Sequence, residues 1–272
     1  RVLVRREGGL EARLVDLKRD VALIPRVAIH LNRETNNGVK YDPARDLVAL
    51  YAAGTSSGSF YREVARTADC APGDVVAGDL VLYNNQPGTV WGAEGEFVSA
   101  PRLDDLACVF ACAEGFLTAQ ERDMVPVLCV FDNEEIGSET KQGAASVFLP
   151  ETLAAISEAL GLSAVDHRAL LADSMMLSCD NGHARHPNHP ELADTNEAPV
   201  LNGGVVVKHS PRYATDGVSS AVFTELCRRA EVPVQHYANR PDQMGGSTLG
   251  NIADTKLPIP TVDIGMAQLA MH

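Results

Sequence analysis

Residues 101–138, PRLDDLACVFACAEGFLTAQERDMVPVLCVFDNEEIGS, decide the fold. Leu106, Phe110, Ala113 and Leu117 recur at helical spacing, which predicts a helix from about Asp104 to Thr118. Val125–Phe131 is short and nearly all apolar, as expected of a strand buried on both faces. That run ends in Asp132-Asn133-Glu134-Glu135, followed by Gly137-Ser138. In an open α/β sheet, ligands gather beyond the carboxyl ends of the strands, and this is where the acids fall.

Downstream the same texture continues. A helix is expected near Glu151–Leu160, strands at Met175–Cys179 and Val205–Lys208, a helix at Val218–Ala230 and a last strand at Thr261–Ile264. Strands alternating with helices imply a mostly parallel sheet with flanking helices, so residues 101–272 read as an α/β domain. Upstream, residues 1–100 are rich in β-branched residues with turn signals at Asn36-Asn37-Gly38, Ser57-Gly58 and Gln86-Pro87-Gly88. Candidate strands there are Val2–Val4, Val21–Ile24, Val27–His30, Leu80–Tyr83, Val90–Trp91 and Phe97–Ser99. This is a small β-rich module.

The 36 acidic side chains outnumber the 23 basic ones, giving a formal charge of −13. Such a field repels phosphate backbones and anionic bilayers, which argues against nucleic acid and membrane partners. No apolar run approaches the roughly 20 residues needed to span a bilayer. The six cysteines form no C-x-x-C pair and mostly sit in apolar runs, so they read as reduced core residues of a cytoplasmic protein.

Polar residues collect at the expected strand ends. Asp180 follows Met175–Cys179, with His183 and His186 just beyond; Asp263 lies in the last strand, nine residues before His272. Asp104 and Asp105 open the long helix. Read alone, the Asp104–Asp105 pair serves equally well as a helix cap, and each histidine as a surface residue. Together, carboxylates and histidines converging at one sheet edge are expected of a metal site built from oxygen and nitrogen ligands.

Six blocks carry a resemblance: Ala28-Ile29-His30-Leu31-Asn32-Arg33; Arg102-Leu103-Asp104-Asp105; Asp132 to Ser138; Ser178-Cys179-Asp180-Asn181-Gly182-His183 with His186-Pro187-Asn188; Gly246 to Gly250; and Asp263-Ile264-Gly265 with Met271-His272. In this order they resemble the motifs of aspartyl aminopeptidases, cytosolic two-metal exopeptidases that remove acidic residues from peptide N-termini. The resemblance implies a zinc-peptidase-like fold with two divalent ions per site, zinc first, with manganese or cobalt also tolerated. It implies that Asp104 bridges the two ions, that Glu135 and His272 complete one position, and that Asp180 serves the other. Glu134 would be the general base. His30, in the β-rich oligomerisation module, would reach a neighbouring subunit's site within a homo-oligomer. Lys208, with His183 and Tyr213, would meet the substrate, Lys208 taking its acidic side chain.

One family motif is missing. The family carries H-x-D upstream of these blocks, and none of the eight histidines here is followed two positions on by aspartate. The family also continues beyond its final Met-His, so the chain is expected to be a shortened form of a longer protein. The alternatives are an aminopeptidase of the same fold with broader specificity, and a catalytically silent oligomeric scaffold.

Overall fold

Val2 and Val4 are fully buried while Arg5 and Arg6 face solvent, the period-two pattern of a half-buried strand. In the computed structural model this segment is β1 (Val2–Arg6), paired antiparallel with β2 (Gly9–Arg13). The structure describes residues 1–54, 57–120, 123–243 and 245–272. These divide into two units, Arg1–Pro87 and Gly88–His272.

The first unit continues with α1 (Pro43–Asp46), α2 (Ser59–Thr67) and β3 (Val75–Gly78), giving the strand order β2-β1-β3. Val2 and Val4 pack on Val64 and Ala68 of the α2 segment, with Phe60, Cys70 and Val75 around them. Gly78 is required where β3 crosses β1, because a Cβ there would lie 2.9 Å from Val2 Cγ1. The sequence predicts further strands in this unit that do not form. Val21–Ile24 makes only the bridge Leu23–Leu50. Val27–His30 runs into a turn closed by Leu31 N–H donating to Ala28 O at 2.8 Å. Leu80–Tyr83 joins no ladder, and Val81 is 80% exposed. β-branched composition marks a segment that tolerates extended backbone, whereas a strand also needs a neighbour for its amides.

The second unit opens with an antiparallel hairpin, β4 (Thr89–Trp91) and β5 (Phe97–Ser99). There follow α3 (Leu103–Thr118), α4 (Phe148–Ala159), α5 (Ala164–Ala172), β6 (Met176–Cys179) and β7 (Gly182–His183). The chain ends with β8 (Val205–His209), α6 (Gly217–Arg229), β9 (Val234–Ala238), α7 (Leu249–Asp254), β10 (Thr261–Gly265) and β11 (Ala267–Gln268). Capping boxes start α5 (Ser163 with Asp166), α6 (Asp216 with Ser219) and α7 (Thr248 with Asn251). The main sheet has the order β6-β10-β8-β9, with β6/β10 and β8/β9 parallel and β10/β8 antiparallel. The fold is thus α/β, with two of the three ladders parallel. On one face Val207, Val262 and Ile264 pack against Phe223 and Cys227 of α6. Past β6 and β10 the two chain segments stay together as β7 and β11, joined by Asp180 N–H to Ile264 O and Gly182 N–H to Met266 O, both 2.9 Å.

Val125–Phe131 departs from its expectation. Among the described residues it pairs with no strand, and Val125 is 80% exposed. Its apolar character is unchanged; what it lacks is a ladder neighbour on either side. Among the described residues no helix is long and apolar enough to cross a membrane.

Candidate metal centre

Three elements deliver the carboxylates. At the start of α3, Asp104 (φ −89°, ψ 109°) and Asp105 (φ −116°, ψ 24°) leave helical geometry, so their side chains are not committed to capping the turn above. Glu134 and Glu135 sit in a 3-10 turn between two left-handed residues, Asn133 (φ 62°) and Gly137 (φ 99°). That turn is held by Ser138 N–H donating to Asn133 O at 3.0 Å and by Asn133 Nδ2 donating to Thr140 Oγ1 at 2.9 Å. Gly143 allows the chain to fold back over it, since a Cβ there would collide with Ser138 O. Asp180 leaves the end of β6, and His272 arrives from the far side of β11.

These elements bring two sets of ligand atoms together. Asp104, Glu135 and His272 offer oxygens and an imidazole nitrogen within 4.8 Å of one another, and so do the carboxylates of Asp104, Asp105 and Asp180. His272 Nε2 stands 3.5 Å from Asp104 Oδ2 and 3.3 Å from Glu135 Oε2. Asp104 belongs to both sets, and its side chain is 7% exposed.

The electrostatics are those of a site built for a cation. Burial, and then the Asp180 charge, push the Asp104 carboxyl above its usual range. Burial pushes Asp105 up to about 7. Glu134 is likewise raised, by burial first and then by Asp180, Glu135 and Asp104. Asp104 Oδ1 and Asp105 Oδ1 are buried with no hydrogen-bond donor among the described residues. A buried, unsatisfied carboxylate oxygen is costly, and a divalent ion would satisfy it. An oxygen-rich set with one imidazole fits zinc, and equally manganese or cobalt.

The remaining candidate residues lie as follows. Lys208, on β8, is only 1% exposed. Its Nζ donates to Asp180 Oδ2 at 3.0 Å and to Asn181 O at 3.2 Å, with the Tyr213 ring centroid 5.3 Å away. His183, on β7, sets its ring edge-on to Tyr237 at 6.4 Å. His30 belongs to the first unit, exposed in the turn after Ala28. Two contributors are not singled out by the sequence, Asp105 as a ligand and Asn181. Asn181 is buried and ties the site together: its Nδ2 donates to Leu103 O at 2.8 Å, and its Oδ1 accepts from Met266 N–H at 3.2 Å and the Cys108 thiol at 3.1 Å. Nothing in an Asp-Asn-Gly string reveals such a role. Asp263, a strand-end acid by sequence, is fully buried and accepts from Thr248 Oγ1 at 2.8 Å and Ala214 N–H at 2.6 Å, anchoring α7 beneath the sheet.

An α/β unit that gathers carboxylates and a histidine around a shared aspartate defines a candidate metalloprotein. Comparison with known proteins narrows the class. The chain belongs to the M18 peptidase family, described as aminopeptidase I zinc metalloprotease, whose pattern matches residues 1–272. It is 40% identical over 282 residues to a probable M18 family aminopeptidase 2 of Clostridium novyi, covering all of this chain and 65% of the relative. A Mycobacterium leprae protein of the same description is 40% identical over 262 residues, covering 96% of this chain and 61% of its own length. The chain thus spans less than two thirds of these relatives. Among solved structures it resembles prApe1 (29% identical, TM-score 0.89, all of this chain and 63% of that one) and the S. cerevisiae mApe1 dodecamer (29%, TM-score 0.82, all and 62%).

Proposed function

We propose that the protein containing this chain is a two-metal aminopeptidase that releases N-terminal residues from peptides, with a preference for aspartate and glutamate. The observation that carries the reading is the sharing of Asp104 between two sets of ligand atoms. One carboxylate serving two adjacent positions is what a pair of ions roughly 3.5–4 Å apart requires. In this reading Asp104 would serve both ions, Glu135 and His272 would complete one position, and Asp180 would serve the other.

Ions bound there would polarise the scissile carbonyl and make the attacking water easier to deprotonate. Glu134 takes that proton. Its carboxyl lies among Asp180, Glu135 and Asp104, and burial first, then those charges, raise it from the ordinary glutamate value; a carboxylate beside the attacking water can accept its proton. It then returns the proton to the leaving amine. Glu135 cannot share this task while it is bound as a ligand, which divides the labour between neighbouring residues. His183 and Tyr213 are assigned to substrate binding, and His30 to a neighbouring subunit's site in a cytoplasmic homo-oligomer. The likeness to mApe1, a dodecamer, supports the oligomer.

The preference for acidic residues rests on Lys208. A second reading, broader specificity, is favoured by the geometry of that residue: its ammonium is buried against Asp180, Asn181 and the Tyr213 ring. Steady-state kinetics of Lys208→Met in the full-length protein, on aspartyl and alanyl substrates, decide between them. A selective loss on aspartyl substrates of two orders of magnitude or more supports the selector role. An equal loss on both assigns Lys208 to the metal centre and replaces acid preference with broad specificity.

A further inference from the structure

β8 and β9 run parallel in register, with Val207 opposite His236 and His209 opposite Ala238. Alternation puts His209 and His236 on the face of Val207 and Val234, which packs against Phe223 and Cys227 of α6. Lys208 and Tyr237, opposite one another in the register, belong to the other face, where Lys208 meets Asp180. The two imidazoles are in contact. His209 Nε2 is 3.0 Å from His236 Nδ1, and the ring centroids are 5.2 Å apart with planes 31° from parallel. Both side chains are half-buried, and the candidate metal centre uses neither.

A contact of this length needs one nitrogen to donate and the other to accept. A first added proton preserves it, because a protonated ring still donates to a neutral one. A second proton leaves two cationic N–H groups facing each other with no acceptor between them. We propose that His209 and His236 form an acid-sensitive latch, which joins the carboxyl ends of β8 and β9 while one ring stays neutral and releases them when both are protonated. Burial, and then the His236 charge, hold His209 below the ordinary imidazole value, with Glu197 opposing them. The stabilisation is therefore complete above about pH 6.5 and is lost as the pH falls through the lowered folded value. Glu197 belongs to the segment before β8, and its carbonyl accepts Ala238 N–H at 3.2 Å. Charged groups on the packed elements are engaged elsewhere: Lys208 with Asp180, Asp263 of β10 with Thr248 and Ala214, Asp216 in the α6 cap, and Glu225 with Arg228 and Arg229. Release would act on the site through the strand ends, since Lys208 adjoins His209 and Tyr237 adjoins His236. The latch requires only the sheet, whichever reaction the protein catalyses.

The test compares the full-length parent with His236→Gln and His209→Gln, each of which keeps a polar partner that cannot gain a charge. Deuterium exchange at the imidazole Cε1–H, read by mass spectrometry across pH, should show the parent's two rings titrating in separate steps, the second displaced to lower pH. In each variant the remaining ring should titrate in one step, nearer the ordinary value. Amide exchange, corrected for its intrinsic rate, reads the strands. Between about pH 7.5 and about pH 5.5, protection of the β8–β9 amides should fall about tenfold more in the parent than in either variant. The β6–β10 ladder should respond to pH alike in all three proteins. Two rings that titrate independently, or β8–β9 protection that falls equally in parent and variants, would overturn the latch. So would a parent-specific loss shared equally by the β6–β10 ladder.

Discussion

Replacing Lys208 with methionine in metal-free protein tests the buried ion pair between Lys208 and Asp180. The substitution keeps the chain length and removes the charge from a side chain that is 1% exposed. Nζ spends its three donor directions on Asp180 Oδ2 at 3.0 Å, Asn181 O at 3.2 Å and the face of Tyr213. Asp180 also stands within ligand distance of Asp104 and Asp105, so without Lys208 three carboxylates crowd together uncompensated. Breaking a buried pair by deleting one partner costs about 3–5 kcal/mol. A domain of this size shifts by about 2–4 °C per kcal/mol, so the melting temperature should fall by roughly 6–20 °C. Scanning calorimetry in chelator measures it. Saturating zinc or manganese should shrink the difference, because the cation takes over compensation of Asp180. A variant melting within about 2 °C of the parent in chelator would refute the counter-ion role, and so would a gap that metal leaves unchanged.

Other outcomes are expected. Glu134→Gln should lower kcat by about 10²–10⁴-fold while leaving bound metal unchanged in an elemental assay, because the amide keeps the shape and loses the proton acceptor. In this chain alone, the position formed by Asp104, Glu135 and His272 should bind metal more tightly than the Asp180 position, where Lys208 already occupies the carboxylate; competitive titration reads the order. Asp105 sets a pH dependence. Its folded pKa of about 7 lies above the unfolded value, so the folded state holds the proton longer. Metal-free protein should therefore lose stability as pH rises from about 4 to about 7 and level off above, with Asp105→Asn flattening the slope. Gly143→Ala should destabilise the turn carrying Glu134 and Glu135, since the new Cβ would run into Ser138 O; thermal melts of the metal-free protein check it.

What was legible in the sequence is what local periodicity encodes. The helical spacing of Leu106, Phe110, Ala113 and Leu117 appears as α3, and the apolar runs at 175–179, 205–208 and 261–264 appear as strands that meet in one sheet. Segments whose fate depends on a neighbour were not legible. Val125–Phe131 has the composition of a buried strand, but without a ladder partner among the described residues it is only an exposed apolar run. β9 escaped notice because Gln235, His236 and Tyr237 lack the apolar signature; register with Val206–Lys208 makes it a strand. In the site, Asp104, Glu134, Glu135 and Asp180 drew attention by their placement at expected strand ends and a helix start, whereas the ligand roles, that of His272 above all, came only from the family resemblance. Asp105 and Asn181 were hidden, because burial and hydrogen-bond partners, and not residue type, give them their roles. The burial of Lys208 was hidden for the same reason: a lysine ending an apolar run reads as solvated until Asp180 is seen beside it.

The shared aspartate admits the most direct test. Metal stoichiometry of the full-length protein, measured by elemental analysis after dialysis against trace zinc, should be about two ions per protomer for the parent. Glu135→Gln should lose one ion, because Glu135 belongs to a single set of ligand atoms. Asp104→Asn should lose both together, because Asp104 belongs to both sets. An Asp104→Asn protein that keeps two ions, or loses no more than Glu135→Gln does, would contradict a bridging aspartate and with it the two-metal site.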